Sequence, residues 1–337
     1  MTGLGTWRFF LAFLVAITHL WVDMIHGPAA YAVWAFFVLS GYLMTHVLTA
    51  KYGTETRGLG EYAFNRLLRI YPLYLMALIV GLVTISVLQS KGFDPSKLNP
   101  QFHVPAGIAN WLANFSLAFF LPQSNLAVPV ASALSVEVGA YVLMPLFARS
   151  RTAAALAALI AFGANYQLGF RMESHELRYT GFGTVMFPFA VGSLCCHYYR
   201  TLRLFAAPML SVAAWCAFAT YWLVDPYWPW TYGLALSVPL SAWVTISLAG
   251  IKGGNIELWA GDLSYPIYLF HTTVAAWFLP YFGYGRSFWF FAVVFAMTIV
   301  LSWALIVFLD RPLQRFKLKG RLNHKGATVV AMPSVAA

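Results

Sequence analysis

The chain has 337 residues, of which 61% are hydrophobic and 9% are charged, and its formal net charge is +10. A soluble domain has about a quarter of its residues charged, so this composition argues against a soluble fold. The basic residues lie in short segments between apolar runs, and we therefore interpret the charge as a signal of membrane orientation and not of nucleic-acid binding.

Ten apolar runs approach or reach the length of about 17 to 25 residues that crosses the hydrocarbon core. They lie near residues 6–25, 29–50, 71–90, 133–148, 152–168, 181–199, 204–224, 230–249, 262–282 and 288–309. A further segment, 107–122, is apolar but contains Asn110, Asn114 and Ser116 and ends at Pro122. We expect it to lie in the interface or to re-enter the bilayer without crossing it.

The distribution of lysine and arginine favours this arrangement, because these residues concentrate in cytoplasmic loops. With the N-terminus inside, sixteen lie inside and five outside if 107–122 does not cross, against eight and thirteen if it does. The sequence thus predicts an all-α polytopic helix bundle in the plasma (inner) membrane, with about ten transmembrane helices and both termini cytoplasmic. Residues 1–310 form the predicted transmembrane domain, and we expect 311–337 to be a basic, partly disordered cytoplasmic tail.

Ionisable side chains inside apolar spans are costly unless they are paired or face a polar cavity, so each is a candidate functional residue. His19 follows Arg8 by eleven residues, which on a helix returns it to within about 20° of the same face, about 16 Å further along the axis. We therefore expect both side chains to line one cavity. Asp23 lies at i+4 from His19, where its carboxylate could fix the imidazole tautomer. The alternative is a buried histidine with only a packing role.

Two later spans also carry ionisable residues. Glu137 falls about one turn into the fourth span, at a depth similar to that of His19, so the two side chains could meet; a structural ion pair is the alternative. Ser135 precedes it by two residues and points away from it on a helix, so we assign Ser135 only a supporting role. His271 lies near the middle of the membrane, where function and packing are equally good explanations.

Arg66 and Arg69 lie at i and i+3 just before the third span and share one helix face. Two guanidinium groups at the start of a helix form a plausible site for phosphate groups. Anchoring by the positive-inside rule explains the same residues equally well.

Taken together, these segments resemble the acyltransferase type-3 family, integral-membrane enzymes that acylate cell-surface and secreted carbohydrates. The resemblance extends over nearly the whole chain. Its features, in the order of the family, are the pair Arg8 and His19, residues 36–43 (FFVLSGYL), 66–72 (RLLRIYP), 134–137 (LSVE) and 263–271 (LSYPIYLFH).

The resemblance implies an acyl-CoA donor, often acetyl-CoA, that is used from the cytoplasm, and a carbohydrate acceptor outside. The family's essential histidine corresponds to His19. Its arginine on the first helix corresponds to Arg8, and its paired arginines correspond to Arg66 and Arg69. We assign these three arginines to binding of the donor.

Glu137 corresponds to the carboxylate of the family's Ser-x-Glu segment, although Val138 and Gly139 stand where many members have a second acidic residue and a glutamine. The hypothesis is that the three arginines hold the CoA phosphates and that His19 acts as general base on the sugar hydroxyl, oriented by Asp23 or Glu137. Alternatively, His19 could itself carry the acyl group before passing it on.

A proton-coupled transporter of a glycan or lipid-linked precursor is the main alternative, because intramembrane histidine and aspartate also suit proton-coupled transport. The paired, discontinuous half-helices typical of such carriers are not evident in the sequence. A scaffold for polysaccharide assembly is a third interpretation. The expected partners are the lipid bilayer, a carbohydrate acceptor and other polysaccharide-assembly proteins, with no nucleic acid and no metal.

Overall fold

The computed structural model of the protein describes residues 3–118 and 125–320. Over these two ranges the regular elements are all helices and no β-strand is present, which confirms the predicted all-α fold. The α-helices are α1 Leu4–Leu20, α2 Ala29–Val47, α3 Thr56–Ser90, α4 Gly107–Ser116, α5 Ala131–Arg149, α6 Arg151–Leu168, α7 His175–Thr180, α8 Phe182–His197, α9 Tyr199–Leu202, α10 Pro208–Ala219, α11 Tyr232–Ala249, α12 Asn255–Trp277, α13 Leu279–Phe282, α14 Phe288–Leu305 and α15 Arg311–Gln314.

Helices lie in each of the ten apolar ranges of the sequence. Among the described residues, five helical segments are long and apolar enough to cross a membrane, and up to seven are if two bent pairs each form one span. The bent pairs are Met172–Thr180 with Phe182–His197, at 60°, and Tyr199–Phe205 with Pro208–Leu223, at 80°. α1 is a shorter apolar helix of 17 residues. The chain is therefore a multi-pass membrane protein with five to seven candidate spans.

The first helix is shorter than its apolar run. α1 ends at Leu20, Trp21 is extended with φ −121° and ψ 121°, and Val22–Met24 form a 3-10 turn. The chain must reverse before α2, and Pro28, immediately before α2, cannot donate the backbone hydrogen bond that a continuous helix needs. Asp23 lies on this turn and is exposed. The prediction that His19 and Asp23 lie one turn apart on the same helix is therefore wrong.

The third helix is longer than predicted. α3 has 35 residues, or about 52 Å of helix, against roughly 30 Å for the hydrocarbon core. Its first turns are polar and are supported by an i,i+4 ion pair of 3.5 Å between Arg57 and Glu61. Arg66 and Arg69 consequently lie inside this helix and not before it.

In the described part of the predicted segment, residues 107–118, the only helix is α4, whose ten residues are too few to cross the core. Leu117 follows it in a left-handed conformation with φ 54°. Asn114 is buried, and its side-chain amide donates to the backbone oxygens of Asn110 and Asn125, at 2.9 and 3.1 Å. Its side-chain oxygen accepts from the Ala127 amide at 3.2 Å. These bonds connect α4 to the chain that precedes α5. Residues 119–122 of the predicted segment lie outside the described residues.

Two close helix contacts position the candidate site. α1 runs along α12, and α2 runs along α8. A Cβ atom on Gly5 would collide with the Glu257 carbonyl, and one on Gly41 would collide with the Phe189 carbonyl. Glycine at these positions lets the helix backbones approach closely, as in other membrane bundles. The first contact brings the histidine of α1 next to that of α12.

The predicted tail begins as ordered structure. A π-helical turn, Ile306–Asp310, continues α14 into α15, and the chain is described as far as Gly320. The rest of the predicted tail, 321–337, lies outside the described residues.

Candidate active site

Four cationic side chains surround a cavity of about 310 Å³ that is bordered by α1, α2, α3, α5 and α12. They are Arg8, Arg66, Arg69 and Lys317, and the acidic residues of the lining are Glu137 and Asp262. The structure therefore brings together all three arginines that the sequence suggested as donor-binding residues. It adds a fourth cation, Lys317, that sequence reasoning missed.

The two arginines of α3 differ in their partners. Arg69 makes ion pairs with Asp310 at 3.2 Å and with Asp262 at 4.0 Å. Arg66 lies with its guanidinium 5.8 Å from the centre of the Tyr62 ring, and its buried Nε has no hydrogen-bond partner among the described residues. A buried guanidinium nitrogen without a partner is costly. Arg66 is therefore the more available of the two for an anionic ligand.

Glu137 lies in the same cavity as the arginines and does not contact His19. Its Oε1 accepts hydrogen bonds from the hydroxyl groups of Ser40 and Tyr141, both at 2.6 Å. The expectation that Glu137 and His19 meet is therefore not met, because hydroxyl donors on α2 and on the next turn of α5 satisfy this carboxylate. Ser135 points elsewhere, as its helical spacing predicts: its Oγ donates to the Ser132 carbonyl at 2.7 Å.

His19 meets the second intramembrane histidine. Its Nδ1 lies 2.8 Å from Nε2 of His271, and the two rings are almost parallel, with an interplanar angle of 15°. The other ring nitrogen of His271, Nδ1, lies 3.0 Å from the Ile267 backbone carbonyl. His271 is completely buried, whereas His19 is partly open to a cavity.

This chain of contacts assigns the protons of the two neutral rings. A carbonyl oxygen can only accept, so Nδ1 of His271 carries a proton that it donates to Ile267. Nε2 of His271 is then an acceptor, and Nδ1 of His19 must donate to it. It follows that Nε2 of His19 has a free lone pair. The arrangement has the same logic as a histidine oriented by a hydrogen-bond acceptor in a catalytic triad.

His19 lines a second cavity, of about 330 Å³, and not the cavity of the arginines. Polar residues reach this second cavity from the segment between α3 and α5, from the first turn of α5 and from α7. They are Asn99, Gln101, Ser132, His175, Glu176 and Thr180. These residues show no spacing pattern in the sequence, so sequence reasoning missed them.

The prediction that Arg8 and His19 line one cavity is therefore wrong. Both lie on α1 as the helical spacing requires, but side chains from neighbouring helices divide the space between them. Val33, Ala133 and Tyr268 line both cavities. The Tyr268 hydroxyl donates to the Val130 carbonyl at 3.0 Å, which holds its ring at this boundary.

Two arginines fix the surroundings of His19. Arg286 donates from Nη1 to the His19 backbone carbonyl at 3.1 Å, a favourable position for a cation at the C-terminal end of α1. Arg178 is buried and donates to the carbonyls of Arg171, Trp230 and Thr231. Because Arg178 belongs to α7, these bonds hold α7 beside the second cavity.

One family model matches most of the chain. A family model described as an acyltransferase domain, Acyl_transf_3, matches residues 1–307. No curated protein and no solved structure gives a significant match. The matched range contains both histidines of the pair and the three arginines of the cavity. The chain therefore belongs to the acyltransferase type-3 family.

Proposed function

We propose that the chain transfers an acyl group, in the simplest case acetyl, from acyl-CoA to a hydroxyl group of a cell-surface or secreted carbohydrate. The observation that carries this proposal is the hydrogen bond between His19 and His271, because it leaves Nε2 of His19 free to accept a proton beside a polar cavity. General-base catalysis of this kind contributes about 10²–10⁴-fold to a rate.

In the proposed reaction, Nε2 of His19 removes the proton of the acceptor hydroxyl as its oxygen attacks the thioester carbonyl. The new C–O bond forms and the C–S bond breaks. The imidazolium then returns its proton to the departing sulfur, so the products are the ester and the thiol CoA-SH. Nε2 of His271 accepts a hydrogen bond from the imidazolium and stabilises its charge.

The two cavities suit the two substrates. Four cations match the phosphate groups of CoA, which are polyanionic. The second cavity offers amide, hydroxyl, imidazole and carboxylate groups that can bind sugar hydroxyls. In this proposal the acyl end of the donor passes the Tyr268 ring to reach His19, which lies about 16 Å from Arg8 along α1.

We also propose that all ten helical ranges cross the plasma membrane with both termini in the cytoplasm. The count of sixteen basic residues inside against five outside supports this orientation. It would place the cavity of the arginines on the side where acyl-CoA is made and the second cavity on the outer side.

Replacement of Arg66 by glutamine should raise the KM for acyl-CoA by about 10- to 100-fold and change kcat much less. One charge-assisted hydrogen bond contributes about 1.5–3 kcal/mol, and Arg66 Nε is buried without a partner in the described part of the chain. The measurement is steady-state kinetics in detergent with the donor varied. Arg57→Gln is the matched control, because Arg57 lies on the same helix with its side chain 75% exposed and outside the cavity. An unchanged KM in Arg66→Gln would contradict the assignment.

The test of the function itself is acyl transfer by the purified protein with labelled acetyl-CoA and a panel of polysaccharide and glycoside acceptors. Thioester loss that depends on the acceptor, with label recovered as a carbohydrate ester, supports the proposal. Sugar flux into vesicles without thioester loss would indicate a transporter. If the purified protein shows neither activity and a His19→Ala strain has normal surface glycans, the result would indicate a scaffold.

The route through an acyl-histidine is distinguished by rapid quenching. A labelled acyl group on His19, found by mass analysis and consumed at the rate of turnover, would support the two-step route. A full single-turnover rate without such an adduct would support direct transfer with His19 as base.

A further inference from the structure

The last described residues, Arg315–Gly320, form a strap that crosses α3 beside the arginines of the cavity. The carboxamide of Asn65 holds the strap at Leu318 by two hydrogen bonds of 2.9 Å: it accepts from the Leu318 amide and donates to the Leu318 carbonyl. Asn65 is buried and immediately precedes Arg66 on α3. The strap is therefore attached at the helix position next to a cavity arginine.

The end of the strap has a second contact. Gly320 lies so close to the π-helical turn after α2, Leu48–Tyr52, that a Cβ atom on it would meet the Lys51 carbonyl oxygen at 2.5 Å and the Tyr52 ring at 2.9 Å. Tyr52 also accepts a hydrogen bond of 2.6 Å from Asn65. The strap thus spans from α15 to the turn after α2, and Lys317 lies between the end of α15 at Gln314 and the contact at Leu318.

Lys317 is the residue of the strap that lines the cavity. Asp310, the acidic group nearest to it in the chain, is already paired with Arg69 and accepts a hydrogen bond from Gln314 at 2.7 Å. Lys317 itself makes no ion pair within the described ranges. Its ammonium group therefore adds a positive charge, without an ion-pair partner among the described residues, to a cavity that already contains three arginines.

We propose that Lys317 binds a phosphate group of the acyl-CoA donor and that the strap is part of the donor site. This inference rests on the proposed function, and it extends that function to a residue outside the range that the family model matches. Three observations support it: the two hydrogen bonds between Asn65 and Leu318, the contact at Gly320, and the position of Lys317 in the lining of the arginine cavity.

The pKa of Lys317 provides a way to observe this role. Partial burial and the positive charges of Arg69, Arg66 and Lys51 lower the pKa of Lys317 to about 8, although the Asp310 carboxylate acts in the opposite direction. The ammonium group is charged below that pH and attracts phosphate. Affinity for CoA should therefore decrease as the pH rises from 7 to 9, because the attraction is lost when Lys317 releases its proton.

The test is calorimetric titration of the purified full-length protein with CoA at pH 7 and pH 9. We expect Lys317→Ala to bind CoA about fivefold more weakly at pH 7, the size of one partly exposed ionic contact, and to lose the pH dependence. Lys317→Arg should keep the affinity at both pH values, because arginine stays charged. Lys319→Ala is the control: it removes the same charge from the same strap at a position outside the cavity lining.

Equal affinities of Lys317→Ala and the unaltered protein, with CoA bound by both, would overturn the role of Lys317 and leave the proposed function standing. Failure of the unaltered protein to bind CoA would overturn both. Equal losses in Lys317→Ala and Lys319→Ala would also overturn the specific role, since the effect would then reflect net charge alone.

Discussion

Replacement of His19 by glutamine should lower kcat for acyl transfer by about 10²–10⁴-fold and leave the affinity for CoA nearly unchanged. Glutamine can still donate to His271, but it has no basic nitrogen to accept the proton of the acceptor hydroxyl. The separation of the two effects follows from the geometry, because His19 lines the second cavity and the four cations line the first. The measurements are turnover with saturating substrates and calorimetric binding of CoA by the same preparation.

His46→Gln provides the matched control for this substitution. His46 is also a half-buried histidine of a membrane helix, and it lines neither cavity. We expect it to keep turnover within about twofold, as is usual for substitutions away from special features. Substantial turnover in His19→Gln, or equal losses in the two variants, would contradict the role of His19 as a base.

The sequence was sufficient to predict those features that follow from helix geometry and from solvation cost. Each of the ten apolar runs contains a helix in the structure. The i, i+3 spacing of Arg66 and Arg69 predicted that they share a face, and both line one cavity with Arg8. Ser135 points away from Glu137, as two residues along a helix require.

Features that depend on contacts between distant segments were not accessible in this way. Asp23 was expected to orient His19, but the chain leaves the helix before Asp23, and a histidine 252 positions away occupies that role. The sequence marked His271 as ionisable and intramembrane and placed it in the segment 263–271 that carries the resemblance, but neither signal identifies its partner. The contact between His271 and His19 depends on the packing of α1 against α12, which the sequence does not show.

The expectation that Arg8 and His19 line a single cavity was wrong for the same reason. The angular position of a residue on α1 determines the direction of its side chain, but the shape of the cavity that the side chain faces is determined by residues of other helices. Tyr268, Val33 and Ala133 supply the boundary here, and they come from α12, α2 and α5. In the proposed reaction, the two cavities would keep the donor apart from its acceptor until the acyl end of the donor passes Tyr268.

The His19–His271 bond leads to a second substitution with a large effect. His271→Phe should lower kcat by about 10²–10⁴-fold although residue 19 is unchanged. Phenylalanine fills a similar ring volume but cannot accept a hydrogen bond from Nδ1 of His19. A buried N–H without a partner costs about 1–3 kcal/mol, so the His19 ring should shift to the tautomer that carries its proton on Nε2. That tautomer has no lone pair at the nitrogen proposed to act as base.

His271→Glu separates this explanation from simple loss of packing. A glutamate carboxylate accepts from Nδ1 of His19 and restores the productive tautomer, so we expect it to retain at least about tenfold more activity than His271→Phe. Nitrogen-15 spectra of the histidine-labelled protein supply the direct readout. They should show Nε2 of His19 unprotonated in the unaltered protein and protonated in His271→Phe. Activity in His271→Phe equal to that of the unaltered protein, or the same tautomer in both, would show that His271 only packs against the ring and does not orient it.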